Sequence, residues 1–313
     1  MEEIKMGGGS AIRRVKRNFL QGKPVSTGKK EVCAKTQGTV IVFGEYGVHK
    51  SGKGEYELLR KGVTIGIFSE AQIKEDEVLF ALSHGVILEV SKGGIKEIIT
   101  PEKATLLGLI AADGSNMFRR EQRLRGSYRT EYSTRFYSDD KELANLFSML
   151  SEEIYGITPH HYNRKKDNLI TSVIYNKGIF YDLTDLNIKG GPYEFHVPRD
   201  HLNNDGKKAF VKGFFSGDGN VSIAGDKITI RFYSSYKEGL EELRLVLIDL
   251  GFHPHEILEY VQPTGIVYCF SVPREEHVKF INEIGSYKPR HVRIFEEYLR
   301  KSGYEVEKRD DGS

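Results

Sequence analysis

The sequence predicts an α+β fold made of two pseudo-symmetric halves, each with the order helix, two strands, helix, two strands, helix. Two observations predict this fold. A helix that ends in Asp-Gly occurs twice, at residues 106–114 and 211–219, and the tetrapeptide RFYS follows each of them. Self-similarity of this kind indicates the architecture before any single motif does. The halves are predicted at residues 100–200 and 201–313, after a small N-terminal domain at residues 1–99.

The first helix of each half has recognisable ends. Thr100 is suited to cap the first one, and Pro101 follows at the first helical position. Gly114 and Gly219 follow the final aspartates. We expect both glycines in the left-handed conformation that often terminates a helix.

The elements after these two helices also match. In each half an alternating strand containing RFYS precedes an amphipathic helix, and a strand hairpin is predicted next. In the first half these segments are residues 133–138, 141–156 and 168–183, with the hairpin turning at 176–178. In the second half they are residues 227–234, 237–252 and 256–272, with the turn at 263–265.

The aspartates that end the two helices, Asp113 and Asp218, are expected to lie side by side. Mid-helix Gly108 and Gly213 each cost about 1 kcal/mol relative to alanine in an exposed helix, and close helix packing would explain them. The apolar seam would consist of Leu106, Leu109, Ile110, Val211, Phe214 and Phe215. Two adjacent carboxylates repel unless a divalent cation lies between them, and Mg²⁺ is the natural candidate.

The charge of the chain does not by itself indicate a nucleic-acid binder, since 46 Lys and Arg residues face 44 Asp and Glu residues. Basic residues are concentrated at residues 11–40 and 119–135. Such runs are usually solvated surfaces and contact phosphates only in a suitable context. Two cysteines exclude a disulfide framework, and no apolar run approaches the ~20 residues of a membrane span. We expect a soluble, intracellular protein without a secretion signal or a membrane partner.

The motifs LLGLIAADG at residues 106–114 and VKGFFSGDG at residues 211–219 resemble the two signature motifs of the LAGLIDADG homing endonucleases. The repeated order of elements resembles the αββαββα half of that family, over about residues 100–303. The acid that the family usually has two positions before the last aspartate is absent, being Ala111 and Ser216. The last aspartate, which the family uses for metal binding, is present in both halves.

This resemblance implies a monomeric, intron-encoded enzyme whose two halves form a DNA-binding saddle. It implies metal-dependent double-strand cuts that leave short 3′ overhangs in a long asymmetric site of double-stranded DNA. Mg²⁺, or Mn²⁺ in its place, would be held by Asp113 and Asp218, with the preceding Ala112 and Gly217 included in the metal site. By position, the residues implied to order water or neutralise phosphate charge are Ser138, Ser234, Arg199 and Lys288.

The strands of each half predict a surface that reads DNA in the major groove. In residues 227–233, Ile228, Ile230 and Phe232 are expected on one face and the polar side chains on the other. If each half covers about one helical turn, the target is on the order of 20 bp. The residues predicted to contact DNA are Arg119, Arg123, Arg129, Glu131, Ser133, Arg135, Tyr137, Lys227, Thr229, Arg231 and Tyr233.

Three questions stay open at the level of the sequence. Residues 55–85 are interpreted either as a helix-turn-helix that serves as an accessory DNA-binding module or as an ordinary small α+β unit. The chain could instead be an intron RNA maturase that binds its own intron RNA with the same surface. A non-catalytic DNA-binding regulator is the third possibility, although the presence of both Asp113 and Asp218 argues against a decayed site.

Overall fold

A computed structural model shows two compact units, Met1–Ile99 and Thr100–Ser313. The structure describes residues 40–43, 46–52, 55–60, 63–69, 78–81, 84–91, 94–122, 128–164, 166, 168–188, 194–225, 227–263 and 265–304. The basic run at residues 11–40 lies almost wholly outside the described residues, as does Arg123. Within the described residues, no helix is long and apolar enough to cross a membrane.

The described part of the first unit consists of antiparallel strands. They form one sheet in the order β1-β2-β3-β4 and another in the order β5-β6-β7. The strands are β1 Val40–Phe43, β2 Tyr46–Gly52, β3 Glu55–Arg60, β4 Val63–Ser69, β5 Val78–Ala81, β6 Val86–Ser91 and β7 Gly94–Ile99.

The helix-turn-helix considered for residues 55–85 is therefore wrong, because β3, β4 and β5 occupy this region. The sequence of β4, VTIGIFS, is rich in β-branched residues, which favour strands over helices. β3 pairs with both β2 and β4, and this ladder satisfies its backbone hydrogen bonds.

The second unit has the predicted order of elements in both halves. The first half comprises α1 Pro101–Asp113, β8 Gly114–Gln122, β9 Tyr128–Ser138, α2 Lys141–Tyr155, β10 His160–Arg164, β11 Leu169–Ile174 and α3 Lys177–Asp185. The second comprises α4 Asn204–Asp218, β12 Gly219–Ala224, β13 Lys227–Ser234, α5 Lys237–Asp249, β14 Leu258–Gln262, β15 Gly265–Ser271 and α6 His277–Glu283, and α7 Pro289–Lys301 follows it. The predicted α+β class is confirmed.

The two four-stranded sheets have equivalent topologies, β10-β11-β9-β8 and β12-β13-β15-β14, with every neighbouring pair antiparallel. In each sheet the first strand continues directly from the helix that ends in aspartate. Helix α2 packs on β9 and β11, and α5 packs on β13 and β15. Stacked rings join these layers, such as Phe136 with Phe147 at a centroid distance of 5.1 Å.

The hairpin predicted for the second half is confirmed as β14 and β15. The hairpin predicted at residues 168–183 is wrong. β11 pairs instead with the earlier strand β10, and residues 177–185 form helix α3. The reason is local, since the Asn176 side chain accepts a hydrogen bond from the Ile179 N–H and caps the helix.

A partly buried ion pair links the three helices of the first half. Lys103, in the first turn of α1, is fully buried, and its Nζ lies 2.8 Å from Oδ2 of Asp182 on α3. The Tyr155 hydroxyl at the end of α2 donates to the same carboxylate at 2.6 Å. Burial and the Asp182 charge hold the pKa of Tyr155 well above its ordinary value, so Tyr155 remains a donor.

We expect Asp182→Asn to lower the free energy of unfolding by roughly 3–5 kcal/mol, because it leaves the Lys103 charge buried without a counter-charge. Adding Lys103→Met should recover most of this loss, since the new amide oxygen can still accept from Tyr155 and no buried charge remains. Urea denaturation of the single and double variants measures both effects. Equal stability of the two variants would contradict the assignment of the ion pair.

Candidate metal site and DNA-facing surface

Helices α1 and α4 pack so closely that their middle residues have to be glycine. A Cβ atom on Gly108 would collide with the Phe210 carbonyl oxygen, and one on Gly213 would collide with that of Thr105. The six residues of the predicted apolar seam are all buried. The expectation drawn from the mid-helix glycines is confirmed.

Close packing continues to the ends of the two helices, where the aspartates lie. A Cβ atom on Gly217 of α4 would lie 2.6 Å from the Cβ of Ala112 and 2.8 Å from Oδ2 of Asp113, both on α1. The Asp113 carboxylate therefore rests against the backbone of the opposite helix, one residue before Asp218. The structure brings the two predicted metal ligands to one place.

The glycines after the aspartates are not left-handed, which corrects that prediction. Gly114 has φ −116° and ψ 177°, and Gly219 has φ −77° and ψ 152°, so each helix passes directly into an extended strand. Glycine is needed for space instead, because a Cβ atom on Gly219 would collide with the Phe215 carbonyl oxygen. Because each helix changes directly into a strand, each aspartate lies immediately before the first strand of its sheet.

A cavity of about 340 Å³ lies where the two helix ends meet the two sheets. Both aspartates line it and are half-buried. The equivalent tyrosines of the two RFYS segments, Tyr137 and Tyr233, also line it. The remaining lining residues are Ala112, Gly114, Ser234, Ser235 and Val267.

The two carboxylates are held in a setting that disfavours their charges. Burial raises the pKa of Asp113 to about 6, with a smaller contribution from the Asp139 charge, while Lys288 opposes the rise. Burial likewise raises the pKa of Asp218 well above its ordinary value, the Asp113 charge adds to this, and Lys288 again opposes it. A divalent cation would relieve the cost of ionising both groups.

This arrangement fits a hard divalent cation with few protein ligands. The described residues contain no cluster of three or more His, Cys, Asp and Glu side chains that could hold a metal ion. Two carboxylates suit Mg²⁺, which commonly keeps several waters and takes further oxygens from a bound phosphate. Ala112 lines the cavity, and Gly217 lies beside the Asp113 carboxylate.

We expect Asp113→Asn to raise the free energy of unfolding of the metal-free protein at pH 8 by up to about 3 kcal/mol. The folded protein keeps the Asp113 proton up to a pKa of about 6, whereas the unfolded chain loses it near 3.8. Stability due to this group is therefore lost as the pH rises from 3.8 to about 6. Urea denaturation in EDTA should show the advantage of the variant at pH 8 and its disappearance near pH 4. An equal advantage at both values would contradict the pKa shift.

Lys288 is the predicted cation that acts on this pair. It lies at the N-cap position of α7, and its charge lowers the pKa of both aspartates. Its Nζ is 3.9 Å from Oδ1 of the exposed Asp139. A contact of this length to an exposed carboxylate is weak, so the pairing with Asp139 leaves the Lys288 ammonium available to a bound phosphate.

The other three residues predicted to support the site have partners of their own. Ser138 and Ser234 each accept a backbone N–H two residues later at 3.0 Å, from Asp140 and Tyr236, immediately before α2 and α5. Ser234 also lines the cavity, and Ser138 does not. Arg199 is separate from the cavity lining.

Arg199 is engaged in an ion pair at the far end of α5. It lies 2.9 Å from Asp249, which also receives Lys207 at 2.8 Å. Hydrogen bonds from Lys207 and then Arg199 lower the pKa of Asp249. Arg199 and Lys288 were predicted to have equivalent roles in the two halves. Their surroundings differ, because Arg199 pairs with Asp249, whereas the charge of Lys288 acts on Asp113 and Asp218.

The alternation predicted for β13 is present, since Ile228, Ile230 and Phe232 are buried. On the opposite face, Lys227 and Arg231 are exposed, and Thr229 and Tyr233 are half-buried. The outer side of this sheet thus offers polar and cationic groups next to the cavity.

The equivalent row of the first half differs from the prediction at one residue. Arg119 and Arg129 are exposed, and Arg135 is half-buried. Ser133 is only 1% exposed, so its side chain offers no accessible surface to DNA.

Carboxylates accompany the arginines of this row. Glu121 pairs with Arg119 at 2.7 Å, and Glu131 lies 3.4 Å from Arg135 and 3.6 Å from Arg129. The exposed Arg119–Glu121 pair contributes less than about 1 kcal/mol, so a phosphate can replace its carboxylate.

Ser235, Val267 and Asp139 belong to this centre but were not predicted from the sequence. Asp139 and Ser235 directly follow the two RFYS segments, and this shared position was an available signal. Val267 reaches the cavity only through the pairing of β15 in the sheet, which the sequence does not reveal.

Comparison with known proteins bears on the second half most directly. The family model described as a LAGLIDADG-like domain matches residues 205–285, which include Asp218 and the whole second sheet. The resemblance predicted from the motif at residues 211–219 is thereby confirmed.

The individual proteins that this chain is similar to are distant. A DNA polymerase of Thermococcus kodakarensis is 23% identical over 169 residues, which make up 50% of this chain and 9% of the polymerase. The chain thus spans less than a tenth of that relative. The structure of I-DmoI in complex with DNA and Ca is similar with 19% identity and a TM-score of 0.46, over 62% of this chain and 96% of that one. The I-LtrWI homing endonuclease bound to target DNA has 14% identity and a TM-score of 0.44, over 64% and 91%.

Proposed function

We propose that this chain is a site-specific endonuclease that makes metal-dependent double-strand cuts in a long asymmetric DNA site and leaves short 3′ overhangs. One observation carries the proposal. Two carboxylates from pseudo-equivalent helices line a single cavity. Each of them lies immediately before the first strand of a sheet whose outer face is polar. A two-fold arrangement suits a substrate with two antiparallel strands.

Asp113 and Asp218 would hold Mg²⁺ at the centre, and Mn²⁺ could replace it. When bound, the metal lowers the pKa of coordinated water and stabilises charge on the leaving oxygen. The chain's own contribution is to fix the two carboxylates and to present a cation to the scissile phosphates. Lys288 is the candidate for the second task, because its charge already acts on both aspartates.

The sheets would carry recognition of the DNA sequence. Together the two outer faces form the proposed saddle, and side chains from β9 and β13 would enter the major groove. Arg231 and Lys227 supply exposed donors in the second half, and Arg119 and Arg129 supply them in the first. Because the two faces differ in sequence, one monomer would recognise an asymmetric target.

Selection of cleaved molecules from a randomised DNA library tests the proposal. Incubation with Mg²⁺ should enrich one asymmetric sequence on the order of 20 bp, cut in both strands, and EDTA should abolish the enrichment. An RNA pool with the same flanking sequences serves as the comparison substrate. Enrichment by binding alone, with no cuts in Mg²⁺ or Mn²⁺, would overturn the endonuclease in favour of a binding protein or an RNA maturase.

A further inference from the structure

Buried hydroxyl groups connect the segment that carries Lys288 to helix α4. Ser216, two residues before Asp218, accepts the Tyr287 N–H at 2.8 Å. Its Oγ also lies 3.2 Å from the Oγ of Ser286, which accepts the Lys288 N–H at 3.1 Å. Ser216 is fully buried and Ser286 is 3% exposed. The backbone N–H groups of Tyr287 and Lys288 are therefore held by the hydroxyl groups of Ser216 and Ser286.

The protons in this network can be assigned by counting donors. Ser216 donates its only hydroxyl proton to the Lys212 carbonyl oxygen at 2.7 Å. Ser286 consequently donates to Ser216, because the oxygen of Ser216 can act there only as an acceptor. The contact of 3.1 Å between Ser286 and His291 then requires Nδ1 of His291 to donate. His291 on α7 therefore donates to Ser286, Ser286 donates to Ser216 on α4, and Ser216 donates to the Lys212 carbonyl oxygen.

His291 is held in the neutral state that this network uses. The residue is 4% exposed, and its ring lies 5.3 Å from that of Phe215 on α4. Burial lowers its pKa to about 4, and the charges of Lys288 and Arg290 act in the same direction. At neutral pH the imidazole is a fixed donor and not a second cation beside Lys288.

The central hydroxyl group of this network, that of Ser216, has no equivalent in the first half. The position equivalent to Ser216 in the first half is Ala111, which has no hydroxyl group. The close packing of α1 against α4 therefore does not itself require the polar groups of Ser216, Ser286 and His291. They occur around the segment that carries Lys288, whose charge lowers the pKa of both aspartates.

We propose that Ser216, Ser286 and His291 are positioning residues that hold Lys288 against the Asp113–Asp218 pair. This inference rests on the proposed function, since it assigns these three residues a task in the proposed cleavage. None of them lines the cavity, so they act through Lys288 and not on the DNA.

A double-mutant cycle measures this dependence. Ser216→Ala and Ser286→Ala are each expected to slow cleavage of the selected site about ten- to a hundredfold, as a displacement near 1 Å does. In a Lys288→Met background, the same changes should have no further effect. Ser151→Ala is the matched control and should leave the rate unchanged, because Ser151 is also fully buried and donates to a carbonyl four residues earlier, at 2.7 Å.

Hydrogen exchange in the metal-free protein provides a readout that does not depend on activity. Ser216→Ala should release the amides of Tyr287 and Lys288 to faster exchange, and Ser151→Ala should not. Unchanged exchange would overturn the inference whatever the cleavage rate. Additive losses in the Lys288→Met background would also overturn it and would indicate a general structural role. If the wild-type protein cuts no DNA, the proposed function fails, and the assignment to cleavage fails with it.

Discussion

Asparagine in place of Asp218 is expected to slow cleavage of the selected site by on the order of a thousandfold, since a bound metal contributes several kcal/mol to such a reaction. The amide retains the size of the side chain but removes the negative charge that attracts the cation. Asp113→Asn should have an effect of similar size, because the two residues are pseudo-equivalent and share one cavity. The measurement is single-turnover cleavage with Mg²⁺.

The control for this prediction is Asp205→Asn. Asp205 is exposed in the first turn of the same helix, so this variant removes the same charge at the opposite end. It should retain the wild-type rate of cleavage. The Asn variants of the site are expected to be at least as stable as the wild type without metal, so that unfolding does not explain their loss of activity. A loss of less than tenfold in both would contradict the assignment of the ligands.

Alanine in place of Gly213 is expected to lower the free energy of unfolding by about 3 kcal/mol, the upper end of ordinary overpacking. The new methyl group would meet the Thr105 carbonyl oxygen and would lie 3.2 Å from the Leu109 nitrogen. Both are backbone atoms of α1, so the two helices would have to separate. The gain of about 1 kcal/mol in helix propensity does not offset this cost.

Gly178→Ala provides the comparison for this substitution. Gly178 is exposed in the first turn of α3, and its nearest neighbour is the Asn176 side chain at 3.1 Å. Its replacement should change the stability by less than about 1 kcal/mol. Urea denaturation measures both variants. A Gly213→Ala protein as stable as the wild type would show that the helices are not in the close contact described.

The central site was predictable because its signals are local and occur twice. The two Asp-Gly motifs and the two RFYS segments indicated the halves, and the mid-helix glycines indicated which helices meet. A residue without a side chain in the middle of a helix is informative, because it has few explanations other than close packing. The pseudo-equivalence of Asp113 and Asp218 followed from these signals.

Other parts of the structure depend on information that the sequence presents ambiguously. The residues Asn176, Lys177 and Gly178 suit a hairpin turn and equally suit the start of a helix. The partner that β11 in fact uses is β10, whose residues HHYNR are all exposed and show no apolar alternation. Arg199 was matched to Lys288 by its position along the chain, but only long-range packing determines which cation reaches the aspartates. The hydroxyl network around Ser286 likewise cannot be predicted from the sequence, because it forms only when α4 and α7 pack together.

The claim that Asp113 and Asp218 form one composite metal site can be tested most directly by anomalous diffraction. Crystals of the protein with its selected DNA would be grown in Mn²⁺, and data would be recorded at the manganese absorption edge. We predict an anomalous peak within coordination distance of both carboxylates, about 2.0–2.4 Å from an oxygen of each, and its disappearance in Asp218→Asn. A structure whose manganese peaks lie elsewhere, with no peak between the two aspartates, would contradict the account.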